Sequence, residues 1–206
     1  YYRDMMYKIH NKLTTDNRRS LVEIWGAEES GTTSFADNLA GTYPQVCDAY
    51  SFHNYGGLNW YDTAMTWLKG ENIQGAYSVM TETAPTAKDS IADLRDLARN
   101  YIYGFKAGHK AVMPWRLNDQ YFPDPLDTTV VMQEMGHWNW YPDSLDVKPG
   151  YYITSLMTKY VDKGANVFDS ISSNFDIETV VFKNDDGNYT LLAYNLGTSS
   201  HSVQFN

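Results

Sequence analysis

The chain has 206 residues, 43% of them hydrophobic and 15% aromatic, with 17 Tyr and 6 Trp. That is enough apolar material for one large domain or two small ones, and it argues against disorder. A formal net charge of −9 and a pI near 4.9 speak against nucleic acid or an anionic membrane as the main partner, and the single cysteine, Cys47, rules out an intrachain disulfide.

The first residues, "YYRDMMYKIHNKL", place Tyr2, Met5, Met6, Ile9 and Leu13 at helical spacing. A helix already under way, with no starting Met, leads us to expect a piece cut from a longer polypeptide. After the polar turn "TTDNRRS", the segment "LVEIWGAEES" reads as a strand, Leu21–Trp25, followed by a carboxylate-rich loop. "TSFADNLAGTYPQV" reads as a short helix and "DAYSFHNYGG" as the next strand and loop. "NWYDTAMTWLKGEN" is amphipathic, with Trp60, Ala64, Trp67 and Leu68 on one side. The third strand is "QGAYSVMTETAPT", an apolar run that stops in Glu82 between Thr81 and Thr83, with Ala84 and Pro85 ending the segment.

"SIADLRDLARNYIYGFKAG" predicts a helix, with Ile91, Leu94, Leu97, Ala98, Ile102 and Phe105 on one face and Gly108 near its end. "HKAVMPWRL" predicts the fourth strand. A long loop rich in aromatics and Asp is expected from Asn118 to about Pro149, and "YYITSLMTKYVDKG" is the last clear helix. Strand and helix thus alternate about four times, which predicts a parallel sheet covered by helices. After Gly164 the texture changes. "NVFDSISS", "IETVVFKNDDGNYTLLAYNLG" and "HSVQFN" alternate like antiparallel strands, with "NDDGN" as a hairpin turn. The expected division is 1–164 for the α/β part and 165–206 for a small β module. No apolar run approaches the ~20 residues of a membrane span.

In a βα architecture the loops after the strands hold the site. The first strand offers Trp25, Glu28 and Glu29. The second offers His53, Asn54 and Tyr55, the third Glu82, and the fourth Trp115 and Arg116. Carboxylates, a His-x-Tyr pair and Trp rings converging on one rim suit carbohydrate chemistry. Sugars stack on aromatic faces, and paired carboxylates cleave glycosidic bonds. No His/Cys/Asp cluster has metal-ligand spacing and no Gly-rich phosphate loop appears, so neither cofactor nor metal is expected.

The order "SFHNYGG", "MTETAP", "VMPWRL", "VKPGYY…VDKGANVFDS" and a terminal β module resembles the closing part of clan A retaining glycoside hydrolases, families 30 and 39 in particular. The resemblance implies a (β/α)8 barrel with a nucleophilic Glu at the tip of strand seven and an acid/base Glu at the tip of strand four. Only one βα unit follows the Glu82 strand before the texture changes. Glu82 then falls on strand seven, "SFHNYGG" on strand six and "LVEIWGAEES" on strand five. The expected fold is therefore α/β, the C-terminal half of a TIM barrel (strands 5–8) followed by a small antiparallel β-sandwich module. On this expectation the acid/base Glu lies upstream of Tyr1. Tyr55 orients Glu82, His53 and Asn54 hold sugar hydroxyls, and Trp115 floors the pocket. The substrate is an oligo- or polysaccharide, the setting extracellular or periplasmic, and the chain pairs with an N-terminal half barrel or with itself.

Each choice has a plainer alternative. A Glu at a strand end is usually a solvated loop residue. His53 and Tyr55 fit a strand end with a satisfied core His, although period-two spacing points both side chains the same way. Trp115 fits plain core, and Glu28 and Glu29 fit a charged loop. A strand count off by one would instead make either of them the acid/base. "MGHWNWYP" fits packing as well as sugar contact. His109 begins a strand, away from the site end, and Asn188 opens a glycosylation sequon. Two other functions stay open: a carbohydrate-binding or degenerate barrel without chemistry, and a different barrel enzyme in which Glu82 is a general base.

Overall fold

The computed structural model describes residues 1–55, 57–83, 90–117, 120–123, 130–133, 136–138 and 146–204. Ala84 and Pro85, much of "MGHWNWYP" and the last two residues of "HSVQFN" lie outside the described residues. The chain packs as two compact units: Tyr1–Thr83 with Ala107–Met113, and Ala84–Lys106 with Pro114–Asn206.

The first unit alternates as its apolar pattern requires. Helix α1 (Tyr2–Thr15) leads to β1 (Trp25–Ser30), α2 (Ser34–Thr42), β2 (Ala49–Asn54), α3 (Asn59–Glu71) and β3 (Tyr77–Thr83). α4 (Ile91–Ala107) then returns the chain to β4 (Val112–Pro114). The strands form one sheet in the order β1-β2-β3-β4, with β1 parallel to β2 and β2 to β3. The runs Ala49–Phe52 and Ser78–Met80 are buried throughout, which is how a strand reads when a parallel sheet is covered. α2 contributes Ala36, Leu39 and Ala40 to the core, and α3 contributes Tyr61, Ala64 and Leu68. Trp67 packs edge-on against Tyr50 and Phe52.

The first strand begins later than its apolar residues suggest. Leu21 closes a 3-10 turn, Arg19–Leu21, and the ladder starts at Trp25, opposite Ala49. The Asp48 carboxylate explains this. It accepts from the Ile24 N–H and from Arg19, both at 2.7 Å, so the Ile24 N–H is held by a side chain, while the Ile24 carbonyl accepts from Asp48 N at 2.9 Å.

The second unit contains α4 and everything after β4. The expected long loop holds a hairpin, β5 (Gln120–Pro123) against β6 (Val130–Gln133). α5 (Pro149–Tyr160) starts with Pro at its first position, where the missing N–H costs nothing. A separate antiparallel sheet follows, β7 (Asn166–Phe168), β8 (Ile177–Lys183) and β9 (Tyr189–Asn195), in that order. "NDDGN" makes the β8–β9 turn, with Gly187 at φ 85°, a region open to Gly at no steric cost. α4 is tied to β8 by Arg99 and Tyr103 on the Glu178 carboxylate and by Phe105 edge-on to Phe182. His201–Gln204 do not extend the sheet. His201 instead lies 3.0 Å from Asn174 Nδ2 and 3.5 Å from Asp176, so side chains hold this tail where a ladder was expected.

Candidate active site

The C-terminal ends of β1, β2 and β3 bring four of the candidate residues together. Glu82, on β3, receives a hydrogen bond on Oε2 from the Tyr55 hydroxyl. His53 Nδ1 lies 3.3 Å from the same oxygen. The other ring nitrogen, Nε2, is 2.7 Å from Glu28 Oε2, and Thr81 Oγ1 donates to that oxygen at 2.8 Å. One imidazole therefore stands between two carboxylates. Burial, and then the Glu82 carboxylate, push the Tyr55 hydroxyl above its ordinary value, so it stays a protonated donor at neutral pH.

Two irregularities in the ladder create this cluster. Ala27 pairs with Ser51 and Glu29 with Phe52, so Glu28 is an extra residue in β1. Ala27 and Glu28 take φ of 80° and 54°, left-handed values that cost a non-glycine residue energy and that mark a bulge. On the other side of β2, Phe52 pairs with Met80 and His53 with Glu82, which makes Thr81 the extra residue. A regular strand would send Thr81 and Glu82 to opposite faces. The shift lets Thr81 reach Glu28 while Glu82 meets His53 and Tyr55.

The bulge also separates the two neighbouring carboxylates. Glu28 stays half exposed at the strand tip. Burial raises its carboxyl, but hydrogen bonds with Ser51, Thr81 and His53 outweigh that and hold it below its usual 4.5. Glu29 is buried, and its oxygens accept from Phe35 N at 2.6 Å, Ala36 N at 2.7 Å and Ser34 Oγ at 3.2 Å. It satisfies the orphan donors in the first turn of α2.

The remaining candidates lie elsewhere. Trp25 opens β1, at the opposite end of the sheet from Glu82, because the strand starts there instead of ending there. Its indole N–H lies 3.1 Å from Glu23 and 3.2 Å from the Tyr77 hydroxyl. Asn54 is buried at the end of β2 and accepts from Gly57 N, so it shapes the turn after the strand. Trp115 and Arg116 follow β4 in the second unit, joined by a cis peptide bond, with the guanidinium 5.4 Å from the Trp115 ring centroid. His137, from "MGHWNWYP", is buried and lies 3.2 Å from Thr154 Oγ1. His109 is also buried, between Ser78 and the Tyr61 carbonyl. Thr81 and Ser51 are the neighbours of Glu28 that the sequence did not single out. The only signal in the sequence was the hydroxyl pair flanking Glu82. Among the described residues no group of three or more His, Cys, Asp or Glu is placed to hold a metal ion.

No protein-family model and no curated protein sequence matches the chain. Solved structures do. SrfJ from Salmonella typhimurium superposes with a TM-score of 0.68 at 21% identity, over 90% of this chain and 43% of that one. The endo-β1,6-glucanase BT3312 gives 0.70 at 16%, over 94% and 46%. A GH30 endoxylanase from Clostridium papyrosolvens C71 gives 0.67 at 16%, over 97% and 47%. The chain resembles the clan A glycoside hydrolases in fold. The chain spans less than half the length of these structures, so its parallel sheet and separate antiparallel sheet correspond to part of a clan A barrel with its β module. Glu28, His53, Tyr55 and Glu82 meet at the C-terminal ends of the strands of this sheet.

Proposed function

We propose that the chain carries the nucleophile side of a retaining glycosidase site, with Glu82 attacking the anomeric carbon of a sugar. The observation that carries this reading is the Glu82 carboxylate at a strand tip, one oxygen held by the Tyr55 hydroxyl and facing the His53 ring. A carboxylate held by a donor on one oxygen keeps its orientation and can present the other oxygen to the substrate. Attack forms a glycosyl–enzyme ester and expels the leaving oxygen, which takes a proton from a second carboxyl ~5–5.5 Å away; water then cleaves the ester.

Glu28 is a poor choice for that second carboxyl. A general acid must hold its proton at working pH, and Glu28 is held below the ordinary range by its hydrogen bonds. We assign it to orienting His53, and we leave Glu29 to its helix. The acid/base Glu is taken to come from barrel strands outside Tyr1–Asn206, on the numbering that makes β1–β4 strands five to eight and 165–206 the β module. Two of the similar structures are titled endo-β1,6-glucanase and endoxylanase. We therefore propose oligo- or polysaccharides as substrates, which would place the enzyme outside the cytoplasm.

The test is a mechanism-based 2-deoxy-2-fluoro glycoside on the full polypeptide as its gene encodes it. Mass spectrometry should locate the ester on Glu82, and Glu82→Gln should remove activity by several orders of magnitude. Activity of that variant within about tenfold of the parent would sink the assignment. Saccharide binding with neither label nor turnover would make the protein a carbohydrate-binding barrel.

A further inference from the structure

The bulge that builds the Glu82 cluster is held in part from outside the sheet. Ala27 and Glu28 both take left-handed φ values, and both give their backbone N–H to a side-chain hydroxyl. Ala27 N donates to the Tyr2 hydroxyl at 3.1 Å, and Glu28 N donates to Ser51 Oγ at 3.3 Å. Ser51 in turn donates to the Gly26 carbonyl at 2.9 Å. Ser51 lies on the paired strand, β2, so its place follows from the ladder. Tyr2 comes from elsewhere. It sits in the first turn of α1, 25 residues from Ala27. Its ring also packs edge-on to Phe35, with centroids 6.0 Å apart, and Phe35 gives its N–H to Glu29 at 2.6 Å. One side chain thus touches both flanks of Glu28: the residue before it, and the helix turn that captures the residue after it. Burial raises the Tyr2 hydroxyl above its ordinary value, although the Ala27 N–H pulls it down, so the group stays a neutral phenol at physiological pH.

The register shows what the bulge prevents. Ala27 pairs with Ser51 and Glu29 with Phe52. A strand continued from Ala27 without the extra residue would set Glu28 opposite Phe52 and Glu29 opposite His53. The bulged form strains two non-glycine residues, and it persists because its freed backbone N–H groups have partners. We propose that Tyr2 is a positioning residue of the Glu82 site: from α1 its hydroxyl holds the bulge that turns Glu28 toward His53. It acts through Ala27 and Glu28 on the imidazole that faces Glu82. The proposal rests on the glycosidase reading for its effect on turnover, and on the geometry of the bulge alone for its effect on Glu28.

The test uses the full polypeptide as encoded. Tyr2→Phe removes the hydroxyl and keeps a ring against Phe35. The first readout is the titration of Glu28, followed by NMR of its carboxyl carbon and identified with Glu28→Gln. Burial raises this carboxyl, but its hydrogen bonds with Ser51, Thr81 and His53 hold it below 4.5 in the parent. In Tyr2→Phe those bonds loosen, so the titration should move up toward 4.5. The second readout is turnover of an aryl glycoside, where kcat should fall about fivefold with KM within about twofold. Ala27→Gly puts at φ 80° the residue that adopts such values freely, so adding it to Tyr2→Phe should bring both readouts back toward the parent. Leu68→Ala opens a cavity in the α3 core. It should lower the urea midpoint at least as far as Tyr2→Phe does and leave both readouts at the parent's values. A Glu28 titration that Tyr2→Phe does not move, or that Leu68→Ala moves equally, would overturn the proposal. A titration that moves while kcat stays at the parent's value would overturn the role of Tyr2 in turnover. A titration that moves in a polypeptide hydrolysing no glycoside would support the hold on Glu28 and remove the glycosidase reading instead.

Discussion

At the scale of single residues, position on the strand matters less than what holds the side chain. Tyr55 is the clearest case, because its hydroxyl is spent on Glu82. Tyr55→Phe removes one donor and little volume. It should lower kcat about tenfold while leaving KM within about twofold, the pattern of an interaction used in the transition state. Equal loss in both constants would make Tyr55 a plain substrate contact. His109 gives a prediction about stability. Its Nε2 faces the Tyr61 carbonyl, which only accepts, so that nitrogen carries the proton and Nδ1 accepts from the Ser78 hydroxyl. Burial lowers its pKa from 6.5 to about 4. The folded value is depressed, so the neutral ring's contribution is complete above about pH 6.5 and is lost as the pH falls to about 4. That loss is on the order of 3 kcal/mol. The urea midpoint should fall between pH 7 and pH 4.5, and His109→Gln should flatten that dependence. A variant that keeps the full slope would assign it to other groups.

Among the elements, the bulge in β1 decides the most. It gives two adjacent, chemically identical carboxylates different work, one facing His53 and one buried under the first turn of α2. The two should respond oppositely to substitution. Glu29→Ala leaves buried helix donors unpaired and should cost about 2 kcal/mol of stability, with kcat/KM of the folded protein little changed. Glu28→Ala sits at an exposed tip. It should cost less than about 1 kcal/mol in stability and lower kcat by freeing the His53 ring. Denaturation curves and steady-state kinetics on both variants check this. If Glu29→Ala lost activity and kept its stability, the helix-cap role would be wrong.

For the molecule as a whole, the sheet order leaves β1 and β4 as outer strands. A barrel has no outer strands, because closure pairs every edge. Unpaired edges invite association. The chain Tyr1–Asn206 made by itself should therefore aggregate, dimerise edge to edge, or become monodisperse only when the complementary barrel half is co-expressed. Light scattering with size-exclusion chromatography measures this directly. A stable monomer that hydrolyses aryl glycosides would overturn the half-barrel reading and return Glu28 to consideration as the acid/base.

The sequence by itself determined the alternation of strands and helices, the separate antiparallel sheet, and the delivery of Glu82 by the third strand. It also placed His53 and Tyr55 two residues apart at the end of the second strand. These are local matters: periodicity, turn residues and apolar runs act over a few positions and need no knowledge of neighbours. Only the tertiary structure decided that Trp25 opens its strand, that Glu29 turns inward while Glu28 turns out, and that Thr81 joins the cluster. Each of these depends on register. Register is set by the paired strand, by a side chain such as Asp48 from 24 residues away, and by a helix whose N–H groups need an acceptor. Nothing in "GAEES" marks which carboxylate the bulge will send to the site, because the partners that choose between them meet only when the chain is folded.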